Sequence, residues 1–385
     1  MRLLLAAVLL LASALCSACL WDSDTIRIEA GGKLDIVHAI VGRFERNPPL
    51  YYKMRLERVS REILTTPNKL ELYDDAAVAA DRLKNHDLAI EWAQKKHKVL
   101  MRLDPKREKQ KDHWCRYFAN LGTFKAHKWF REGMRNERIA QVKSARADIG
   151  RALEINPDAH FGREEFQAHV LDYVLYLQTK PEYARSLDEH IGKTDASREE
   201  AVRGLAGLVV LGDAWNSVDI FRAIDSLLFM SRQRALAYLA TLRVQELLKS
   251  GMKPQLSESE AGSEAELVHG HGPLESERIN EHHRAEFKKL RENAEAYHAK
   301  REQFMMAKLE RGEHPDTHPN FWQGYVEVPP VELTDPPGYY FLRNQTNIAI
   351  WSMFALVLSL SLIGILLIRK GFRYLRARRA GLKPR

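Results

Sequence analysis

The sequence predicts an all-α protein: a stack of helical hairpins, an α-solenoid, followed by a single C-terminal transmembrane helix. Three observations predict it. Ile348–Ile368 (IAIWSMFALVLSLSLIGILLI) is 21 residues long and carries no charge. As a helix rising ~1.5 Å per residue it spans roughly 31 Å, about the hydrocarbon thickness of a bilayer. Upstream, apolar residues recur at three-and-four spacing in segment after segment, the signature of amphipathic helices, and no stretch sustains the alternation of a strand.

The membrane helix also orders the charge. The chain has 385 residues and a formal net charge of +8. The tail that follows the apolar span, Arg369–Arg385, holds eight Lys or Arg and no acid, and Arg2 holds another. Removing those nine from 59 Lys+Arg leaves 50 against 51 Asp+Glu. The remainder has no basic excess, which argues against nucleic acid as a partner. An apolar span followed by a cationic tail predicts a cytoplasmic C-terminus and a body on the other side. In a bacterium that side is the periplasm.

The N-terminus, residues 1–19, reads as a secretory signal. Met1-Arg2 precedes the apolar run Leu3–Leu15, and small residues follow at Ala12, Ala14 and Ala18. Cleavage after Ala14 or after Ala18 fits. The second would place Cys19 first, and LCSAC resembles a bacterial lipoprotein signal, so Cys19 is a candidate lipidation site. Leu3–Trp21 is also uncharged and suits a retained anchor. Each option leaves the body on the side that the tail predicts. Only Cys16, Cys19 and Cys115 occur, so the fold does not rest on disulfides. Cys115, in the run HWCRYF, is expected as a small buried hydrophobe.

Residues 25–250 form the predicted helical body. Leu34–Phe44 has helical spacing, and Asn47-Pro48-Pro49 stops it and starts the next helix, Leu50–Leu64. Leu70–Leu83 and a helix from Leu88 are joined by the short polar turn KNHD. Ala76, Ala77 and Ala80 on the first permit close approach of Ala89 and Ala93 on the second. Further helices are predicted at Glu164–Gln178, Arg198–Leu211, Ser217–Met230 and Arg234–Ser250. Gly204–Leu211 (GLAGLVVL) is too short to span a membrane and is expected in the core.

The helix–turn–helix followed by Asp104-Pro105 resembles the tetratricopeptide repeat (TPR) family. Tyr73, Ala77 and Ala80 take the aromatic, small and leucine-type positions of its first helix, and Ala89 the alanine of its second. Lys96 stands where a small residue is expected. Asn120-Leu121-Gly122 matches a second first helix, and Ala152–Pro157 (ALEINP) its end. Gly122 to Ala152 is 30 residues, which implies an insertion, either as a longer helix pair or as a looped turn near Gly133–Arg138. The resemblance implies a concave groove, lined by first helices, that holds a partner's peptide. Carried over by position, the groove residues are Glu71, Asp74, Val78, Asp81 and Arg82 from the first unit, and Arg116, Thr123 and His127 from the second.

After Gly251 the composition changes. Residues 251–277 are rich in Gly, Ser and Glu and read as a flexible linker. Residues 278–311 return to a long amphipathic helix that packs on the body or pairs with a second chain. Residues 312–347 are Pro-rich and read as a juxtamembrane stalk, with Tyr339, Tyr340 and Phe341 at the expected membrane interface.

The chain carries no GxSxG, P-loop, HExxH, CxxC or GxGxxG. No catalytic residue is assigned and no cofactor is expected. Seven of 15 His lie between His269 and His318. Within that segment, His269, His271, His282 and His283 are the candidate ligands for Zn²⁺ or Cu²⁺. Asn344-Gln345-Thr346 fits a glycosylation sequon but lies four residues from the span. Ala355 and Ser359 form a small-xxx-small pair in the span. The function expected is a membrane-anchored scaffold that binds protein or peptide partners outside the cytoplasm. The alternatives are an envelope metal-binding protein using the His-rich segment, or an enzyme without a recognisable motif.

Overall fold

A computed structural model describes residues 20–30, 34–103, 108–157, 162–179, 186–256, 277–336 and 345–379. The signal region with Cys19, His269 and His271, most of the linker, Tyr339–Phe341 and Asn344 lie outside the described residues. The chain divides into two units, Met1–Leu333 and Thr334–Arg385. Among the described residues all regular structure is helical, and there is no strand.

The first unit begins with α1 (Ser23–Ala30), α2 (Ile36–Val41), α3 (Pro49–Thr65), α4 (Leu70–Arg82) and α5 (His86–Leu100). Then come α6 (Glu108–Arg131), α7 (Ile139–Ile155), α8 (Arg163–Thr179), α9 (Leu187–Ile191) and α10 (Arg198–Val210). It closes with α11 (Val218–Met230), α12 (Arg234–Lys249) and α13 (Glu277–Leu309). Helices packed on their sequence neighbours run through the unit, from α3 on α4 to α12 on α13. Local chemistry sets the boundaries. Pro49 opens α3, where its missing N–H is unneeded. The Asn85 side chain caps α5 through Leu88 N–H. Ser197 and Glu200 form a reciprocal capping box on α10.

Two apolar cores carry the unit. One gathers Trp129, Phe166, Leu205, Phe221 and Ile224 from α6, α8, α10 and α11. The other gathers Val59, Tyr73, Ala77, Trp92 and Phe124 around Leu20, which is wholly buried. Gly204 is in GLAGLVVL for space: a Cβ there would lie 2.0 Å from Phe166, so the helix is a core element packed against a ring. Gly122 does the same on α6, where a Cβ would lie 2.7 Å from the Ala145 carbonyl of α7. The insertion expected near Gly133–Arg138 is a lengthening of both helices of this pair, to 24 and 17 residues. The turn between them holds a short 3₁₀ segment, Asn136–Arg138.

The stalk expected from residue 312 is different up to Leu333. It lacks helix, as its prolines dictate, yet it lies on the body. Phe321 is 1% exposed, and Phe304 of α13 stacks on Trp322 with centroids 5.9 Å apart. Arg43 binds Glu327 at 3.0 Å and the Val328 carbonyl. Composition reported the missing helix, but aromatic and charged anchors among the prolines, such as His314, Phe321 and Glu327, tie the segment to the body. α13, expected as 278–311, packs on α2, α3 and α12 of the same chain.

The second unit holds α14 (Gln345–Arg379), 35 residues long. Its window Ser352–Arg373 has a mean hydropathy of 2.2 and is not buried. It is long and apolar enough to cross a membrane. The helix continues through the first cationic residues, Arg369 to Arg379. Ser359 and Ser361 each donate their hydroxyl to the carbonyl four residues back, at 2.8 Å. That satisfies these two hydroxyls within the apolar segment.

Candidate functional site

The site is built on α4. Neighbours α3, α5 and α6 all pack on it, so even its polar positions face protein. Its small residues, Ala76, Ala77, Ala79 and Ala80, let those neighbours come close. Three carboxylates are buried as a result: Asp74, Asp75 and Asp81 are 4%, 5% and 2% exposed. A buried carboxylate needs partners, and each finds them on a different element.

Asp74 binds Lys96 of α5, with both oxygens 2.7 Å from Nζ. Lys96 is itself 1% exposed. Burial pushes Asp74 up and Lys96 down, and the pairing opposes both shifts. The residue that departs from the repeat pattern is thus the counter-ion of a buried acid. Asp75 accepts from the backbone N–H and the hydroxyl of Ser23, both at 2.9 Å.

Asn120 of α6 completes this surface. Its Nδ2 donates to the Trp21 carbonyl at 2.9 Å, and its Oδ1 accepts from the Trp21 N–H at 2.7 Å. One side-chain amide thus satisfies both main-chain groups of a residue 99 positions away. Leu20 fills the core below, Trp21 Nε1 donates to Glu164 at 3.0 Å, and the Arg116 guanidinium lies 5.4 Å from the Trp21 ring. Asp22 then caps α1 through Thr25 N–H. The inner surface of α4 and α6 therefore holds a segment of backbone, and that segment is the chain's own Leu20–Ser23.

Arg55 of α3 locks the arm. It is 1% exposed and meets Asp24 at 2.9 Å, Asp22 at 3.3 Å and Asp316 at 2.7 Å. Burial would lower its pKa, but the surrounding carboxylates raise it well above the usual value. Burial and Asp24 push Asp22 up to about 6. Burial acts against ionisation of Asp316 too, yet the Arg55 hydrogen bond and charge bring it down to about 2.

The predicted groove residues divide. Glu71 is exposed and Arg82 and Arg116 half-buried. Asp74, Val78, Asp81, Thr123 and His127 are buried, the most open being Asp74. They cannot line an open groove, because α4 and α6 are covered on the faces that bear them. Thr123 exchanges hydrogen bonds with Gln167 of α8, and Arg82 donates to the carbonyls of Leu211 and Gly212. Asp81 and His127 come together with His86, which the sequence reading did not single out. Its signal was its place in KNHD, directly after the helix cap.

The predicted metal ligands do not assemble among the described residues. His282 and His283 are neighbours on α13, so they project about 100° apart. His283 is 1% exposed and faces the Tyr238 ring. His298 bonds the Gly42 carbonyl and His314 the Tyr51 carbonyl. Two members of the histidine excess thus act as tertiary ties. Cys115 is 2% exposed and donates to the Ala152 carbonyl, and burial pushes its thiol up to about 12.

Glu164 sets a pH dependence. Burial pushes its carboxyl up to about 7, against the opposing pull of Arg163 and the Trp21 hydrogen bond. A carboxyl with a raised folded pKa binds its proton more tightly in the folded chain. Its stabilising contribution is full below the unfolded value, 4.5, and is lost as pH rises to about 7. Glu164→Gln is expected to abolish that loss while keeping an acceptor for Trp21. In denaturant titrations across pH 4.5 to 7 the variant should gain on the parent by up to about 3 kcal/mol. A difference that stays flat over that window would refute the assignment.

No protein-family model matches this chain, and comparison with curated proteins and with solved structures gives no match.

Proposed function

We propose that the protein is a membrane-anchored helical scaffold whose body, a TPR-like stack of helical hairpins, binds protein or peptide partners on the extracytoplasmic side. One observation carries the reading: Asn120 and Asp75 pair with the main chain of Leu20–Ser23, side chain to backbone. Such contacts recognise extended chain with little regard to its sequence. The partner recognised this way is a short peptide segment with an apolar residue for the Leu20 pocket. The cationic tail after α14 and the signal-like N-terminus support the orientation. Exposed Glu71 and half-buried Arg116 lie at the rim of the surface and are the positions that meet a bound partner.

A Glu71→Cys variant tests both parts. Cys115 is buried with a raised thiol pKa, and with Cys16 and Cys19 replaced by Ser position 71 supplies the reactive thiol of the folded body. A membrane-impermeant, thiol-reactive crosslinker added from the extracytoplasmic side is expected to give a discrete protein adduct, absent from the parent chain. Labelling only after permeabilisation would invert the orientation. Labelling without any adduct would end the scaffold reading.

A further inference from the structure

We propose that Asp81, His86 and His127 form a binding site for one divalent transition-metal ion of the zinc class. Three elements supply the donors: the last turn of α4, the first residue of α5, and the penultimate turn of α6. Asp81 Oδ1 lies 2.8 Å from His86 Nδ1 and 2.8 Å from His127 Nδ1. One ligand atom from each residue falls within 4.8 Å of the others. All three side chains are buried, at 2%, 8% and 3% exposure. The site stands independently of the scaffold reading.

The donor set selects the ion. Two imidazole nitrogens with one carboxylate suit Zn²⁺ and its first-row neighbours, whereas Ca²⁺ and Mg²⁺ want oxygen. Donor atoms on a tetrahedron with bonds of about 2.0–2.1 Å lie about 3.3 Å apart. The two spacings from Asp81 to the histidines need to open by about half an ångström, within reach of side-chain rotation. Three protein ligands leave a coordination position for water.

The surroundings keep the carboxylate available. The neighbouring cations are engaged elsewhere: Lys84 with Asp213, Lys128 with Asp87, and Arg82 with main-chain carbonyls. The turn that delivers His86 contains Lys84 at φ +63°, a left-handed conformation costing about 1 kcal/mol or more for a residue with a Cβ. His127 Nε2 is buried with no hydrogen-bond partner among the described residues. Hydrogen bonding alone therefore leaves this imidazole half satisfied.

To ligate an ion each imidazole would have to present a ring nitrogen free of its proton, since the lone pair is the donor.

The test uses the full-length chain, purified in detergent and stripped with chelator. Reloading with Zn²⁺ and dialysis is expected to leave about one equivalent per chain, and Co²⁺ to give the visible absorption of a four-coordinate nitrogen–oxygen site. Zn²⁺ should raise the thermal midpoint of the unsubstituted chain, and chelator should reverse it, a readout that needs no variant. His86→Gln and His127→Gln, checked for helix content, should each weaken binding ~10-fold or more, while His282→Gln/His283→Gln leaves it unchanged. No retained zinc, no cobalt spectrum and no thermal shift would overturn the proposal. So would binding that survives in His86→Gln and disappears in the His282/His283 variant.

Discussion

Arg55→Met is expected to lower the unfolding free energy of the body by about 3–5 kcal/mol, the loss seen when one partner of a buried ion pair is removed. The guanidinium is 1% exposed and ties three carboxylates from two distant parts of the sequence: Asp22 and Asp24 of the arm, and Asp316 from the segment after α13. It also donates to the Tyr51 hydroxyl, which in turn donates to Asp24 at 2.8 Å. Met keeps most of the volume and none of the charge, so Asp22 and Asp24 lose their guanidinium and Asp316 keeps only that of Arg58. Denaturant titration of the full-length chain in detergent, followed by helical circular dichroism, measures the loss. The deficit should be largest above pH 7. It should shrink as pH falls below about 6, where Asp22 takes a proton. A loss under about 1 kcal/mol would mean that the cluster is solvated like a surface pair.

Asn120→Leu is expected to release the arm while leaving the rest of the body folded. The substitution keeps the shape and removes both hydrogen bonds to the Trp21 main chain, together with a 3.3 Å contact to Asp74. Each lost bond is worth about 0.5–1.5 kcal/mol, and stranding its buried partner adds to that. Hydrogen exchange of residues 20–30 should quicken by ~10-fold or more, and exchange in α10–α12 should not change. The same variant exposes the surface that Leu20–Ser23 covers, so the adduct formed from position 71 should become more abundant. Unchanged exchange in the arm would show that Leu20 and Arg55 suffice to hold it. The amide of Asn120 would then lose its place in the proposed recognition surface.

The helices were legible because their causes are local. Pro49, the Asn85 and Ser217 caps, the Ser197–Glu200 box and the periodic apolar stripes act within one or two turns. They place α3, α4, α5, α8 and α10 to α12 close to where the sequence puts them. GLAGLVVL reads as core on length and flanking charge alone. The site was less legible. Position in a repeat pattern selected Asp74, Asp81, Thr123 and His127 as groove residues, on the premise that a charged or polar side chain marks an open face. They are inside because α4 is packed by three helices, and their polar groups are met by Lys96, His86 and Gln167. Lys96 is informative here: a cation in place of a small residue was the one sign in the sequence that the helix before it carries a buried acid. The histidine excess of residues 269–318 is a sign of composition only, and of its described members His298 and His314 bond main-chain carbonyls. Composition counts donors, whereas a metal site needs donors that converge, and His86 and His127 converge from 41 positions apart in sequence.

By itself, the sequence determined that this chain is helical, where most helices begin and end, and that one of them is long and apolar enough to cross a membrane. These depend on propensity, capping and the match between apolar length and bilayer thickness, all properties of contiguous residues. Only the tertiary structure decided that Leu20–Ser23 occupies the surface of α4 and α6, that the Pro-rich run lies on the body up to Leu333, and that Asp81, His86 and His127 meet. Each of these joins residues tens to hundreds of positions apart. Their energies come from burial and from electrostatics in a low dielectric, which exist only once the helices have packed.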